Sequence, residues 1–79
     1  MKKTFAKILN EEMTKRGWSA DRTAKEIMRN GGDVATSTVT VWANAGSIPN
    51  AKHGKAICKT IAITPEQFLD AAAFQGKAA

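Results

Sequence analysis

Apolar residues recur at helical spacing near the start of the chain. Between residues 3 and 16 they fall three to five positions apart or side by side, with charged residues between them: Phe5, Ile8, Leu9 and Met13. The pattern predicts an amphipathic first helix that Thr4 caps and Gly17 ends. We expect its apolar stripe to be buried, because so small a domain needs this stripe for its core.

A second helix is predicted from Ser19 to about Asn30. Ser19 is a good N-cap, and Asp21 lies in the first turn, where the helix dipole favours a negative charge. The apolar face of this helix comprises Ala24, Ile27 and Met28. The run Asn30-Gly31-Gly32 is the strongest helix breaker in the sequence, and its two glycines favour a turn with positive φ.

The stretch from Val34 to Pro49 contains no charged residue. As a helix it places Val39 and Trp42 on one face, ringed by hydroxyl and amide side chains: Thr36, Ser37, Thr38, Thr40 and Asn44. Thr36 or Ser37 is the expected N-cap, and Gly46 the expected end. The β-branched run 38–41 also alternates as a strand does, but the sequence contains no second β-rich run to pair with it. We therefore predict a helix.

Two further helices are predicted after Pro49. Asn50 can cap the fourth, over residues 51–62, whose inner face carries Ile57, Cys58 and Ile61. Gly54 weakens this helix by up to about 1 kcal/mol relative to alanine and would permit close approach to another backbone.

The fifth helix has the clearest start signal in the chain. Thr64 and Gln67 form a capping box, and Pro65 occupies the first helical position. We expect Phe68 and Leu69 to be buried and the helix to run to Phe74. Residues 75–79 are predicted to be a frayed, flexible tail.

Composition narrows the function. The chain has 79 residues, which predicts a single domain over 1–79, and its net charge of +5 favours an anionic partner, nucleic acid first and an anionic membrane surface second. One cysteine and one histidine form no metal-ligand cluster, so we expect neither a metal nor another cofactor. No apolar run is long enough for a signal peptide or a membrane span, which predicts a soluble, cytoplasmic protein with no segment inserted in a membrane.

An enzyme is not expected. The sequence offers no paired carboxylates in a plausible pocket and no nucleophile–base pair, and Gly31-Gly32 lacks the lysine and hydroxyl residue of a phosphate loop. No small-molecule substrate is evident.

Two blocks of sequence resemble the helix-turn-helix domains of the lambda-repressor and Cro type. VATSTVTVWANAGSIP, residues 34–49, is similar to the recognition helix and exit loop of that family, and ICKTIAITPEQFL, residues 57–69, to its fourth-helix end and fifth-helix start. Ala24 stands at the family's small-residue position in helix two. More residues separate it from Val39 than in the usual motif, so the turn between helices two and three is expected to be extended.

The resemblance implies an all-α, five-helix fold with a recognition helix at about 36–45 in the DNA major groove. Base-reading residues would be Thr36, Ser37, Thr38, Thr40 and Val41. Phosphate-binding residues would be Arg22, Lys25, Asn44, Lys52, His53 and Lys55, with a solvated surface position as the alternative for His53. Without arginine or glutamine on that helix, A·T pairs and DNA shape should contribute much of the specificity.

The implied function is sequence-specific binding to double-stranded operator DNA, as a small prokaryotic or phage transcriptional regulator of the Cro or repressor type. A homodimer on DNA is expected, with Leu69 and Phe74 as dimer contacts; a plain helix end is the alternative for the segment that includes Phe74. The alternative function is a protein-interaction module on the same fold, such as an antitoxin or an accessory factor.

Overall fold

The structure, a computed structural model, describes residues 3–78, except the side chains of residues 51, 77 and 78. This part of the chain forms five α-helices and no strand: α1 (Phe5–Arg16), α2 (Ala20–Arg29), α3 (Thr36–Ala43), α4 (Ala51–Ile61) and α5 (Pro65–Ala78). The all-helical prediction is confirmed, and the β-branched run 38–41 is helical. Among the described helices, none combines the length and apolar character needed to cross a membrane.

The five helices enclose one hydrophobic core. α3 packs against α1 and α2, α5 packs against α1 and α4, and α4 also contacts α2. The largest fully buried side chains come from four helices: Phe5, Leu9, Thr23, Ile27, Val39, Ile57 and Ile61. Phe5 lies at the centre, with its ring edge-on to Trp42 at 6.2 Å and to Phe68 at 5.6 Å between centroids. The recognition helix inferred from sequence is therefore anchored directly in the core.

Three predicted N-caps are confirmed. Thr4 accepts a hydrogen bond from the Lys7 amide at 3.2 Å, and Ser19 accepts one from Arg22 at 3.1 Å. Thr64 and Gln67 exchange bonds of 2.9 and 3.0 Å, as a capping box requires. Asn50 is the N-cap of α4, but its side chain makes no capping hydrogen bond.

The predicted ends of α3 are wrong by a short distance. Its N-cap is Ala35, which has no side chain able to cap, rather than Thr36 or Ser37. It ends at Ala43, with Asn44 as C-cap, before the predicted glycine is reached. The left-handed residue after the helix is Ala45, at φ 59°, rather than Gly46.

Two predictions about α5 are also wrong. Phe68 is buried, but the adjacent Leu69 is 59% exposed, because the two side chains point in different directions around the helix. Residues 75–78, predicted as a tail, continue the helix, while residue 79 lies outside the described part. Gln75 is buried and accepts a hydrogen bond from the Ala6 amide in the first turn of α1 at 2.8 Å.

The extended turn between α2 and α3 needs both of its glycines, for different reasons. Gly31 has a φ of 99°, a backbone conformation that other residues rarely adopt. Gly32 packs so tightly that a Cβ there would lie 2.6 Å from Ile27 Cγ2 and 3.1 Å from Ala56 Cβ. The turn is thus pressed against α4, which fixes where α3 begins.

Glycine has a related role in α4. A Cβ on Gly54 would lie 2.9 Å from Cε1 of Phe68. The close approach expected at this position is therefore made, but to an aromatic side chain of α5 rather than to a backbone.

Candidate nucleic-acid interface

The outer face of α3 is uncharged and accessible. Only Val39 and Trp42 of this helix are buried, so the helix is held by one narrow stripe. The other predicted base-reading residues are outside the core: Thr36, Ser37, Thr40 and Val41 are exposed and Thr38 is partly buried. The structure therefore presents four of these five side chains to solvent on a single short helix.

Both ends of α3 are tied to neighbouring helices. At its C-terminus, the side-chain amide of Asn10 in α1 donates a hydrogen bond to the Ala43 carbonyl at 2.7 Å. At its N-terminus, the Thr36 hydroxyl donates to Oδ1 of Asp21 in α2 at 3.0 Å. These bonds supplement the core packing and set the position of the helix at each end.

Asp21 is a residue of this surface that sequence reasoning did not assign to it. Besides Thr36 it contacts Lys25, with 3.1 Å between Nζ and Oδ2. The hydrogen bonds from Lys25 and then Thr36 hold the pKa of the Asp21 carboxyl below its usual range. The Thr36 contact spans 15 positions in sequence, so no local pattern announces it.

The two α2 cations predicted to bind phosphate already have acidic partners. Arg22 Nε lies 2.9 Å from Oε2 of Glu26, and Lys25 pairs with Asp21. The Arg22 guanidinium also lies over the Trp18 ring, 5.8 Å from its centroid, and the Arg16 guanidinium lies over the same ring, 5.2 Å from its centroid. Trp18 is partly buried in this cluster. A phosphate would have to compete with these carboxylates.

The predicted α4 cations are arranged differently. Lys52 and Lys55 are exposed and form no ion pair with any residue in the described part of the chain. His53, between them, is partly buried with its ring 6.0 Å from that of Trp42. Its Nδ1 is buried and has no hydrogen-bond partner among the described residues. His53 thus packs on α3, and the two lysines remain open to an anion.

Asn44, the sixth predicted phosphate contact, is exposed at the C-cap of α3. It lies at the exit of the helix, and its contact with a phosphate stays a prediction. It lies at the opposite end of α3 from Thr36, so these two residues would meet different parts of a bound duplex.

A separate apolar groove lies between α4 and α5. Its volume is about 580 Å³, and its lining includes the exposed Leu69 and two lysines: Gly54, Lys55, Cys58, Lys59, Ile63, Pro65, Phe68 and Leu69. Burial raises the pKa of the Cys58 thiol. Phe74, the other predicted dimer contact, is partly buried. It lies about 140° around α5 from Leu69, because the two residues are five positions apart in the helix. One flat partner surface cannot cover both.

Comparison with known proteins returns no matching family model, no significantly similar curated protein and no significantly similar solved structure.

Proposed function

We propose that this protein binds double-stranded DNA with sequence preference and that α3 enters the major groove as the recognition helix of a helix-turn-helix. The observation that supports this most is the outer face of α3, where hydroxyl and methyl groups are exposed on a helix that buries only two side chains. Serine and threonine hydroxyls bond to base edges, and the methyl groups of Thr40 and Val41 suit the thymine methyl.

Phosphate contacts would come mainly from the start of α4. Lys52 and Lys55 are exposed there, without ion pairs in the described structure, and the backbone N–H groups of a helix N-terminus attract anions. His53 would act chiefly by packing on Trp42. Arg22 and Lys25 would contribute after exchanging their carboxylate partners for phosphates, and Asn44 would contact the backbone at the other end of α3.

In this proposal the protein is a transcriptional regulator that binds its operator as a homodimer. A single domain of this size buries too little DNA surface for tight specificity, and two copies double the contacts. Of the two dimer contacts expected from sequence, the structure favours Leu69, which is exposed at the α4–α5 groove.

The test is selection of bound duplexes from random DNA, followed by fluorescence anisotropy of the recovered sequence at several salt concentrations. We expect a recurrent sequence and a log–log salt slope of roughly −4 to −5 per monomer, for about four to six neutralised phosphates. Failure to recover any preferred sequence would overturn the proposal.

Two charge substitutions localise the site. Ser37→Glu and Thr40→Glu place a carboxylate on the exposed face of α3 and should each weaken DNA binding at least about tenfold. Thr14→Glu is the matched control, because Thr14 is an exposed threonine on α1 and makes the same change of charge. Equal loss in all three variants would indicate a general charge effect and argue against α3 as the reading helix.

Binding to another protein is the second candidate function, and the α4–α5 groove is the observation that favours it. An apolar groove with an exposed leucine at its rim is typical of a protein-contact surface. In an antitoxin or accessory factor this groove, rather than α3, would be the functional site. Loss of activity in Leu69→Lys, together with full activity in Thr40→Glu, would favour this candidate over DNA binding.

A further inference from the structure

Two threonines on the outer face of α3 already donate hydrogen bonds through their hydroxyl groups to acceptors within the protein. Thr36 Oγ1 lies 3.0 Å from Oδ1 of Asp21, and Thr40 Oγ1 lies 3.1 Å from the backbone carbonyl oxygen of Thr36. A carboxylate and a carbonyl only accept hydrogen bonds, so each hydroxyl must be the donor. A hydroxyl has one proton and two lone pairs; what remains at both positions is a hydrogen-bond acceptor.

Acceptors read one feature of DNA in the major groove. Each base pair presents a single exocyclic amine there, N6 of adenine or N4 of cytosine, whereas thymine and guanine present carbonyl oxygens. A group that can only accept therefore bonds to adenine or cytosine and is repelled by the oxygens of guanine and thymine. It separates amino bases from keto bases on the strand that it contacts.

We propose that Thr36 and Thr40 form a pair of acceptors that selects adenine or cytosine at two nearby positions of one DNA strand. This inference rests on the proposed DNA-binding function and specifies what the reading face recognises. The two residues are separated by about 6 Å along the helix axis, close to two base-pair steps of about 3.4 Å. The selected positions should lie one or two base pairs apart.

The rest of α3 offers little that would mask this preference. The helix carries no lysine or arginine, the side chains that bond to the acceptor atoms of guanine, and no asparagine or glutamine, which bond to adenine. The indole of Trp42 is buried. The hydroxyls of Ser37 and Thr38 are therefore the remaining side-chain hydrogen-bond donors of α3.

Asp21 is the positioning residue of this surface. Its carboxylate accepts the hydrogen bond that the Thr36 hydroxyl donates, and its negative charge beside that hydroxyl favours an approaching amine over a carbonyl oxygen. Lys25 contacts the other carboxylate oxygen, Oδ2, so the ion pair leaves the Thr36 contact intact.

The experiment begins with the duplex selected by the wild-type protein. Adenine at the two positions is replaced by 2-aminopurine, or cytosine by 2-pyrimidinone, each of which lacks the major-groove amine. Each replacement should reduce affinity about 3- to 10-fold, the value of one hydrogen bond. Replacing nearby guanines with 7-deazaguanine, which removes an acceptor, should change affinity less than about twofold.

Four variants test the origin of the preference by repeated selection. Asp21→Ala frees the Thr36 hydroxyl to donate, so guanine and thymine should become acceptable at the Thr36 position while the Thr40 position stays unchanged. Thr36→Val and Thr40→Val should each abolish the preference at the position that the replaced threonine contacts. Lys25→Ala breaks the ion pair but keeps the Thr36–Asp21 bond, so it should weaken binding to all sequences without altering the preference.

The outcomes separate this inference from the proposed function. Recovery of guanine or thymine at the positions that respond to Thr36→Val and to Thr40→Val would overturn the inference alone, as would an unchanged preference in Asp21→Ala. Recovery of no preferred sequence would overturn the proposed function, and the inference with it.

Discussion

Asp21 shows how one side chain can define the chemistry of another. Its Oδ1 accepts a hydrogen bond from the Thr36 hydroxyl, and its Oδ2 forms an ion pair with Lys25. The exposed start of α3 is therefore an acceptor surface next to a negative charge, although α3 itself contains no charged residue. The consequence for base preference follows from two hydrogen bonds rather than from the identity of the exposed residues alone.

The pKa of Asp21 provides a direct check on these contacts. We expect a carboxyl titration followed by NMR to give a midpoint below the ordinary aspartate value of about 4. Lys25→Ala should raise this midpoint, and Thr36→Val should raise it by less, because the Lys25 hydrogen bond is the larger cause. Since the folded-state pKa is lowered, the contacts stabilise the fold above the ordinary pKa and cease to do so as pH falls through the lowered one. A midpoint that does not move in either variant would contradict the geometry.

Gly32 is a position in the α2–α3 turn at which a side chain does not fit the surrounding packing. In Gly32→Ala the new methyl group would meet Ile27 Cγ2 at 2.6 Å, and Ile27 is fully buried, so the turn must shift. We expect a loss of about 1–3 kcal/mol in the free energy of unfolding, measured by urea denaturation. Gly76→Ala is the control: its methyl group would be 3.7 Å from Ile48 Cδ1, within a helix, and should be neutral or stabilise by up to about 1 kcal/mol.

At the scale of elements, α5 is held to two distant parts of the chain by Gln75. The side-chain oxygen accepts from the Ala6 amide at 2.8 Å, and the side-chain nitrogen donates to the Ser47 carbonyl at 3.3 Å. One residue therefore joins the end of α5 to the start of α1 and to the connector after α3. The last turn of α5 is fixed by this contact rather than by its local sequence.

Gln75→Met should isolate these hydrogen bonds, because methionine keeps nearly the same volume. The Ala6 N–H would be left buried without an acceptor, which should cost about 1–3 kcal/mol of unfolding free energy. Hydrogen exchange should also show faster exchange of the Ala6 amide. Gln67→Met, at the exposed N-terminal cap of the same helix, should leave the Ala6 amide protected. Equal protection of that amide in wild type and Gln75→Met would contradict the role of Gln75.

Sequence predicts the helices well where the controlling interaction is local. Thr4, Ser19 and Thr64 each cap a helix by bonding to an amide three residues later, so the residue types and their spacing are sufficient. The helix over 36–43 is also predicted correctly, against its β-branched composition, because no partner strand is available.

The errors occur where distant contacts decide. Thr36 is the first helical residue of α3 rather than its N-cap, and its hydroxyl bonds to Asp21 in another helix. Residues 75–78 are helical, and Gln75 forms hydrogen bonds with Ala6 and Ser47, which lie 69 and 28 positions earlier in the sequence. Leu69 is misplaced for a third reason: it lies about 100° around α5 from the buried Phe68 and faces the α4–α5 groove, and the sequence does not show which of two adjacent apolar residues is buried.

At the scale of the whole molecule, the charges divide into two regions. Every ion pair of the described structure lies within or beside α1 and α2, where the acidic residues are concentrated. The lysines of α4 have no such partners in the described residues. Within the net charge of +5, the positive charges along α4 are therefore the least neutralised by acidic partners, and they lie next to the end of α3 that packs on His53.

This division predicts unequal contributions to salt-dependent DNA binding. The double variant Lys52→Ala/Lys55→Ala should reduce the magnitude of the log–log salt slope by about 2, since each phosphate that a lysine neutralises adds about 0.9 to it. Arg22→Ala/Lys25→Ala should reduce it by less, because these cations are already neutralised by carboxylates that must be displaced. Anisotropy titrations on one selected duplex would measure both slopes. A larger reduction in the α2 double variant would show that its ion pairs do not limit phosphate binding.

The thiol of Cys58 in the α4–α5 groove can report on access to that groove through its rate of chemical modification. Cys58 is the only cysteine, and both its burial and its raised pKa slow its reaction at neutral pH. Cys58 lines the groove and is only 8% exposed, so a thiol reagent should modify it more slowly than a free thiol, and faster when α4 and α5 separate. A second copy of the chain seated over Leu69 would slow the labelling of Cys58, so the labelling rate reports on assembly without any substitution in the chain.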